Sequence, residues 1–293
     1  MPAIVVNARE TTVETKSGGI AMCDHGGAGP AVLLVHGTGH NRAVWEPVVE
    51  RLREDFRLVT FDLRGHGQSE ANSADAEDHW RDLGMIVDRL GLERPIIVGH
   101  SGGGYAATAH AASGGACGAL VLVDGFVLDT REEALKATGV LPREQWWELF
   151  RYGWLATTDE RDAWVRQVVA QAPADWLNAG IDPQLVESFT CRSFVSENGR
   201  WRRRPTMEEI ECLTRLDPQR RILPAREVYD LVQVPTSFVF ARHGLYRDRR
   251  AEVEGLAEKN AARFVEIDAG HNIHIQRPQE LAGVIREVGT ALV

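Results

Sequence analysis

The chain has 293 residues, 44% of them hydrophobic and 26% charged, with a formal net charge of −9. That length exceeds the needs of one open-sheet domain, so one domain carrying a sizeable insertion is expected. The acidic balance argues against nucleic acid or an anionic membrane as partner, and no apolar stretch approaches the ~20 residues of a membrane span.

Residues 3–8 and 19–24 are short, weakly alternating runs suited to an antiparallel sheet edge. Ala31 to Val35 is a continuous apolar run, the pattern of a strand buried on both faces, and leads into His36-Gly37-Thr38-Gly39-His40. A helix is predicted over 42–54, then a strand over Leu58 to Phe61 that ends at Asp62-Leu63-Arg64-Gly65-His66-Gly67-Gln68-Ser69. Residues 76–90 place Trp80, Leu83, Ile86, Val87 and Leu90 at helical spacing, with Gly91 closing the helix. Ile96 to Val98 is again apolar, breaks at Gly99-His100-Ser101-Gly102-Gly103 and passes into an alanine-rich helix; a serine so presented is a nucleophile elbow. Ala119 to Val123 is a further buried strand, ending at Asp124. Strands and helices alternating in this way imply a mainly parallel sheet flanked by helices.

From Phe126 to Leu231 the alternation stops, and six of the eight tryptophans fall there. The order resumes with a strand over 236–241, a helix over 249–260, a strand over 263–267 and a closing helix over 278–292. The expected organisation is therefore a core domain over 1–125 and 232–293, with a helical cap over 126–231 inserted after the sixth strand. Met1 to Glu10 lacks a basic stretch followed by an apolar core, so a cytoplasmic location is expected. Cys23, Cys117, Cys191 and Cys212 are far apart with no C-x-x-C pair, which favours reduced thiols over disulfides or a metal site.

His36-Gly37, the Asp62 to Ser69 turn, Gly99-His100-Ser101-Gly102-Gly103 and Gly270-His271, in that order, resemble the α/β-hydrolase superfamily, in its branch of cap-bearing serine hydrolases. The resemblance implies Ser101 as nucleophile and His271 as its base, with His274 as rival base. It implies an oxyanion hole of the Thr38 and Gly102 backbone N–H groups, with His36 and His66 supporting their loops and Asp62, Arg64 and Ser69 fixing a turn. The acid departs from the family pattern, because Gly244 stands where a carboxylate is expected after the seventh strand. Asp124 and Asp248 are the two substitutes, and Asp124 is preferred.

Trp45, Phe126, Trp146, Trp147 and Trp154 are candidates for a pocket wall suited to a fairly large apolar substrate; the cap tryptophans equally suit the cap's own core. Arg200, Arg202, Arg203, Arg204, Arg220 and Arg221 make the cap locally basic, either as a solvated face or as a contact for a carrier-bound acyl group or other anion. The expected activity is hydrolysis of an ester, thioester or lactone of a small molecule through an acyl-enzyme, without metal or organic cofactor. The alternatives are a non-hydrolytic acid-base enzyme (lyase, cyclase or isomerase) and a non-catalytic ligand binder.

Overall fold

The computed structural model describes residues 8–137 and 143–292. Its centre is an eight-stranded sheet. β1 (Arg9–Thr15) and β2 (Gly18–Asp24) form an antiparallel hairpin at one edge, and β2 pairs antiparallel with β4 (Arg57–Phe61). The expected run over 3–8 lies, but for its last residue, outside the described residues; the first described strand is Arg9–Thr15. From there the sheet is parallel: β4, β3 (Ala31–Val35), β5 (Ile96–His100) and β6 (Ala119–Val123) are successive neighbours. Every residue of β5 and β6 is buried, which explains the unbroken Ile, Val and Leu runs. Two apolar clusters, one on each face of the sheet, form the core.

The helix predicted over 42–54 is instead a 3-10 turn, Arg42–Trp45, followed by α1 (Glu46–Leu52). Pro47 lies in the first turn of α1, where its fixed φ and missing N–H suit a helix start. α2 (Asp78–Leu90) ends at Gly91 in the left-handed conformation, and α3 (Gly102–Ala112) follows β5 directly.

The segment between β6 and the seventh strand of the main sheet is not wholly helical. It holds α4 (Arg131–Lys136), α5 (Arg143–Phe150), α6 (Thr158–Gln171), α7 (Pro183–Arg192) and α8 (Met207–Thr214). It also holds a three-stranded antiparallel sheet of β7 (Leu155–Ala156), β8 (Phe194–Glu197) and β9 (Arg200–Arg203), with β9 central. Asn198 and Gly199, both with positive φ, make the tight turn joining β8 to β9, a two-residue hairpin connection with a strong sequence signature.

β10 (Thr236–His243) then enters beside β6, and β11 (Arg263–Gly270) closes the far edge, both parallel. α9 (Arg250–Lys259) joins them; α10 (Ile273–Gln276) and α11 (Pro278–Thr290) finish the chain. The intervening segment is tied to loops after the strands' C-terminal ends. Asn41 Nδ2 donates to the Phe189 carbonyl at 2.7 Å, Arg192 to Asp62 at 2.9 Å, and Asn272 Nδ2 to the Leu177 carbonyl at 2.8 Å. Open parallel sheets bind ligands along that edge.

Candidate active site

Ser101 follows β5 immediately, with φ 52° and ψ −123°, a strained setting for a residue with a side chain. Its N–H donates to the Val123 carbonyl at 3.1 Å, and its own carbonyl accepts from Gly104 N–H at 2.8 Å, so both sides of the turn are held. The turn needs glycine at 99, because a Cβ there would stand 2.2 Å from the Gly103 carbonyl oxygen.

His271 follows the end of β11, and its Nδ1 lies 2.7 Å from Asp124 Oδ2. Asp124 is fully buried just past β6, and its carboxylate also accepts the N–H groups of Leu245 at 3.1 Å and Ala241 at 3.3 Å. Gly244 explains the displaced carboxylate. A Cβ at 244 would stand 2.3 Å from Asp124 Oδ2, so the acid reaching over from β6 fills the space that a side chain there would occupy. Asp248, the other substitute acid, is not brought to His271: its side chain is 87% exposed and lies 3.6 Å from Arg247. His274, the rival base, has both ring nitrogens buried without a partner, and its ring lies 4.2 Å from that of His100 and 4.7 Å from that of Trp45.

Thr38 and Gly102 are neighbours. A Cβ built on Gly102 would lie 2.6 Å from Thr38 Oγ1 and 3.5 Å from Thr38 N, so Thr38 lies against the N-terminus of α3, where the helix dipole adds positive potential. His36 holds this loop: its Nδ1 bonds the Gly37 carbonyl at 2.8 Å, and Nε2 accepts the Leu63 N–H at 2.9 Å. Burial keeps His36 neutral, with its pKa well below the ordinary value. His66 bonds the Arg64 carbonyl and is pushed down by burial to about 4. Asp62 accepts from Arg42 N–H and Gln68 N–H, and Ser69 Oγ donates to the Asp62 carbonyl, fixing the turn after β4. Arg64 does more than turn: it grips Asp82 of α2 with two hydrogen bonds of 2.8 and 2.6 Å.

His40, His100 and His274 bring ring nitrogens within 4.8 Å of one another, with no carboxylate among them. Burial depresses all three, His40 to about 3. Neutral imidazoles are the form that ligates transition metals.

The aromatic expectations are largely corrected. Trp45 is fully buried against His274 in one core cluster. Phe126 packs on Phe238 and Tyr246 in the other, at 5.3 and 5.0 Å between ring centroids. Trp154 packs on Trp164 and Phe194 inside the intervening segment. Each is filling a core rather than walling a pocket, and the inference of a large apolar substrate loses its basis. Trp147 is 38% exposed and lines a cleft of about 460 Å³ with Tyr152, Arg202 and Met207. The side chain of Trp146 lies outside the described residues. The basic cluster is mostly compensated: Arg200 faces Glu160, Arg202 binds Glu197, and Arg220 binds Asp75 and Glu77.

Comparison with known proteins agrees with the fold. The model of the alpha/beta hydrolase family matches residues 32–284. An uncharacterized protein of Mycobacterium tuberculosis strain H37Rv is 44% identical over 86 residues, 27% of this chain and 24% of that protein, so the match spans about a quarter of the relative's length. The 2-succinyl-6-hydroxy-2,4-cyclohexadiene-1-carboxylate synthase of Yersinia pseudotuberculosis is 29% identical over 263 residues, covering 89% of this chain and 88% of that one. Among solved structures, E-2-(acetamidomethylene)succinate hydrolase superposes with a TM-score of 0.75 at 20% identity, over 96% of this chain and 99% of that one.

Proposed function

Because this chain belongs to the alpha/beta hydrolase family, we propose that it is a serine hydrolase that cleaves an ester, thioester or lactone of a small molecule through an acyl-enzyme. The observation that carries the proposal is the 2.7 Å bond from His271 Nδ1 to the buried Asp124 carboxylate, at a site where Ser101 occupies a strained turn. A serine hydroxyl is too weak an acid to attack unaided. With Nδ1–H bonded to Asp124, the proton-free Nε2 of His271 accepts the Ser101 proton as Oγ adds to the carbonyl, and Asp124 stabilises the imidazolium that forms. The Thr38 and Gly102 N–H groups hold the oxyanion, His271 returns the proton to the leaving group, and water then releases the acyl group by the same steps.

Residues 126–231 act as the cap over Ser101 and His271, and a carrier-bound acyl group falls within the proposed substrate class. The test is labelling by a fluorophosphonate, together with nitrophenol release from acyl esters. Wild type labels and turns over, and Ser101→Ala does neither; a folded wild type inert to both sinks the proposal. The similarity to the synthase over most of both chains favours one second reading, in which the same groups run acid-base chemistry without an acyl-enzyme. Ester turnover with incorporation of solvent oxygen into the product acid excludes it.

A further inference from the structure

Among the cap arginines, Arg203 stands apart. Arg204 donates to the Ser69 carbonyl, and Arg200, Arg202 and Arg220 face carboxylates. Arg203 is 8% exposed and, among the described residues, makes no ion pair. Its Nε donates to the Phe150 carbonyl at 2.6 Å, while Nη1 is buried without a partner. The rest of its surroundings is aromatic: the Phe194 and Trp164 ring centroids lie 5.5 and 6.0 Å from the guanidinium carbon. Burial lowers its pKa, as it must for a cation held out of water. A buried charge with no ion-pair partner is costly, and the aromatic faces and one carbonyl offset only part of that cost, so an anion brought beside Arg203 would bind favourably.

The position ties this cation, through Tyr152, to the loop that follows β3. Tyr152 lies within the field of Arg203 and sets its hydroxyl against Gly39 of the oxyanion loop, where an added Cβ would stand 1.9 Å from that oxygen. His40, the next residue of the loop, also feels the Arg203 charge, and its ring stacks 5.8 Å from that of His100, the neighbour of Ser101. Arg151, beside Tyr152, is a second arginine without an ion pair among the described residues; its guanidinium carbon lies 5.8 Å from each of the Trp147, Trp154 and Trp164 rings. The cap thus turns net positive charge toward the oxyanion loop of an acidic protein.

We propose that Arg203 is a subsite for a carboxylate carried by the substrate, so that the substrates are esters or thioesters bearing a second, ionised carboxyl group. This rests on the hydrolase reading above. With Nε engaged by Phe150, Nη1 is left as an unpaired charged donor, the kind of group that a carboxylate oxygen satisfies.

The test compares monomethyl succinate, glutarate and adipate with neutral methyl esters of equal length, in wild type, Arg203→Lys and Arg203→Met, following kcat/KM by proton release. Free glutarate is added in parallel to wild type, Ser101→Ala and the Arg203 variants, with the melting temperature as readout. The expected result is a preference of tenfold or more for the charged half-esters, falling to near unity in Arg203→Met and partly kept in Arg203→Lys. Glutarate raises the melting temperature of wild type and Ser101→Ala but not of Arg203→Met. Turnover of neutral esters without charge preference overturns the subsite and leaves the hydrolase standing, a result that needs only wild type if the Met variant fails to fold. No ester turnover with Arg203-dependent glutarate stabilisation overturns the hydrolase and leaves the subsite. A preference for coenzyme A thioesters irrespective of a second carboxyl would assign the guanidinium to phosphate and overturn the carboxylate assignment.

Discussion

Asp124 and Gly244 constitute a coupled pair, and their coupling sets the sharpest predictions at the residue scale. Asp124→Asn removes the charge that stabilises the imidazolium and reverses the preferred tautomer of His271; nitrophenyl ester turnover is expected to fall by about 10³ to 10⁴. Asp248→Asn, at an exposed position, is expected to leave turnover within about twofold. Gly244→Ala adds a methyl carbon 2.3 Å from the Asp124 carboxylate, so it should displace the acid and lower kcat by tenfold or more without unfolding the chain, as kinetics beside circular dichroism would show. The motifs that hold Ser101 and His271 are legible in the sequence because each is a short local run. The choice between Asp124 and Asp248 is not, because it depends on which carboxylate lies across β10 from the histidine. Trp45 and Phe126 misled for a related reason: aromatic residues next to site motifs in sequence turn their rings into the two cores.

At the scale of elements, the parallel strands were read correctly because strands buried on both faces leave long apolar runs. The small sheet of the segment between β6 and β10 does not follow from the apolar runs, even though Asn198-Gly199 between two short runs is a hairpin signal. The grip of Arg64 on Asp82 was also hidden, since nothing in the spacing joins the turn after β4 to the middle of α2. Both side chains are nearly inaccessible, at 7% and 5% exposure. Arg64 Nη1 also lies 3.6 Å from Asp78 and donates to the Asn72 carbonyl, so Asp82→Ala leaves the guanidinium partly paired and is expected to cost about 1–3 kcal/mol in a urea titration. A loss below about 1 kcal/mol would show that water reaches the guanidinium.

Across the whole molecule, burial holds His36, His40, His66, His79, His100 and His274 below their ordinary pKa. The unfolded chain takes up their protons near pH 6.5, and the fold refuses them until much lower pH. Stability is thus unaffected by these groups above pH 6.5 and falls as pH drops below it, by about 1.4 kcal/mol per histidine per pH unit. Several such groups rival the net stability of a domain, so the melting temperature should fall by on the order of 10 °C between pH 7 and pH 5.5. A flat profile would mean that the imidazoles gain protons inside the fold. His274→Phe should soften the acid limb.

β6 ends at Val123 and β10 begins at Thr236, yet the two strands are hydrogen-bonded neighbours. The chain therefore leaves the sheet and returns to it at adjacent points, like a detour with one junction. The closure entropy of such an excursion grows only as the logarithm of its length, so about 110 residues cost roughly 2 kcal/mol more than about ten. The whole excursion can be exchanged at little entropic cost while the strands that carry Ser101, Asp124 and His271 keep their register.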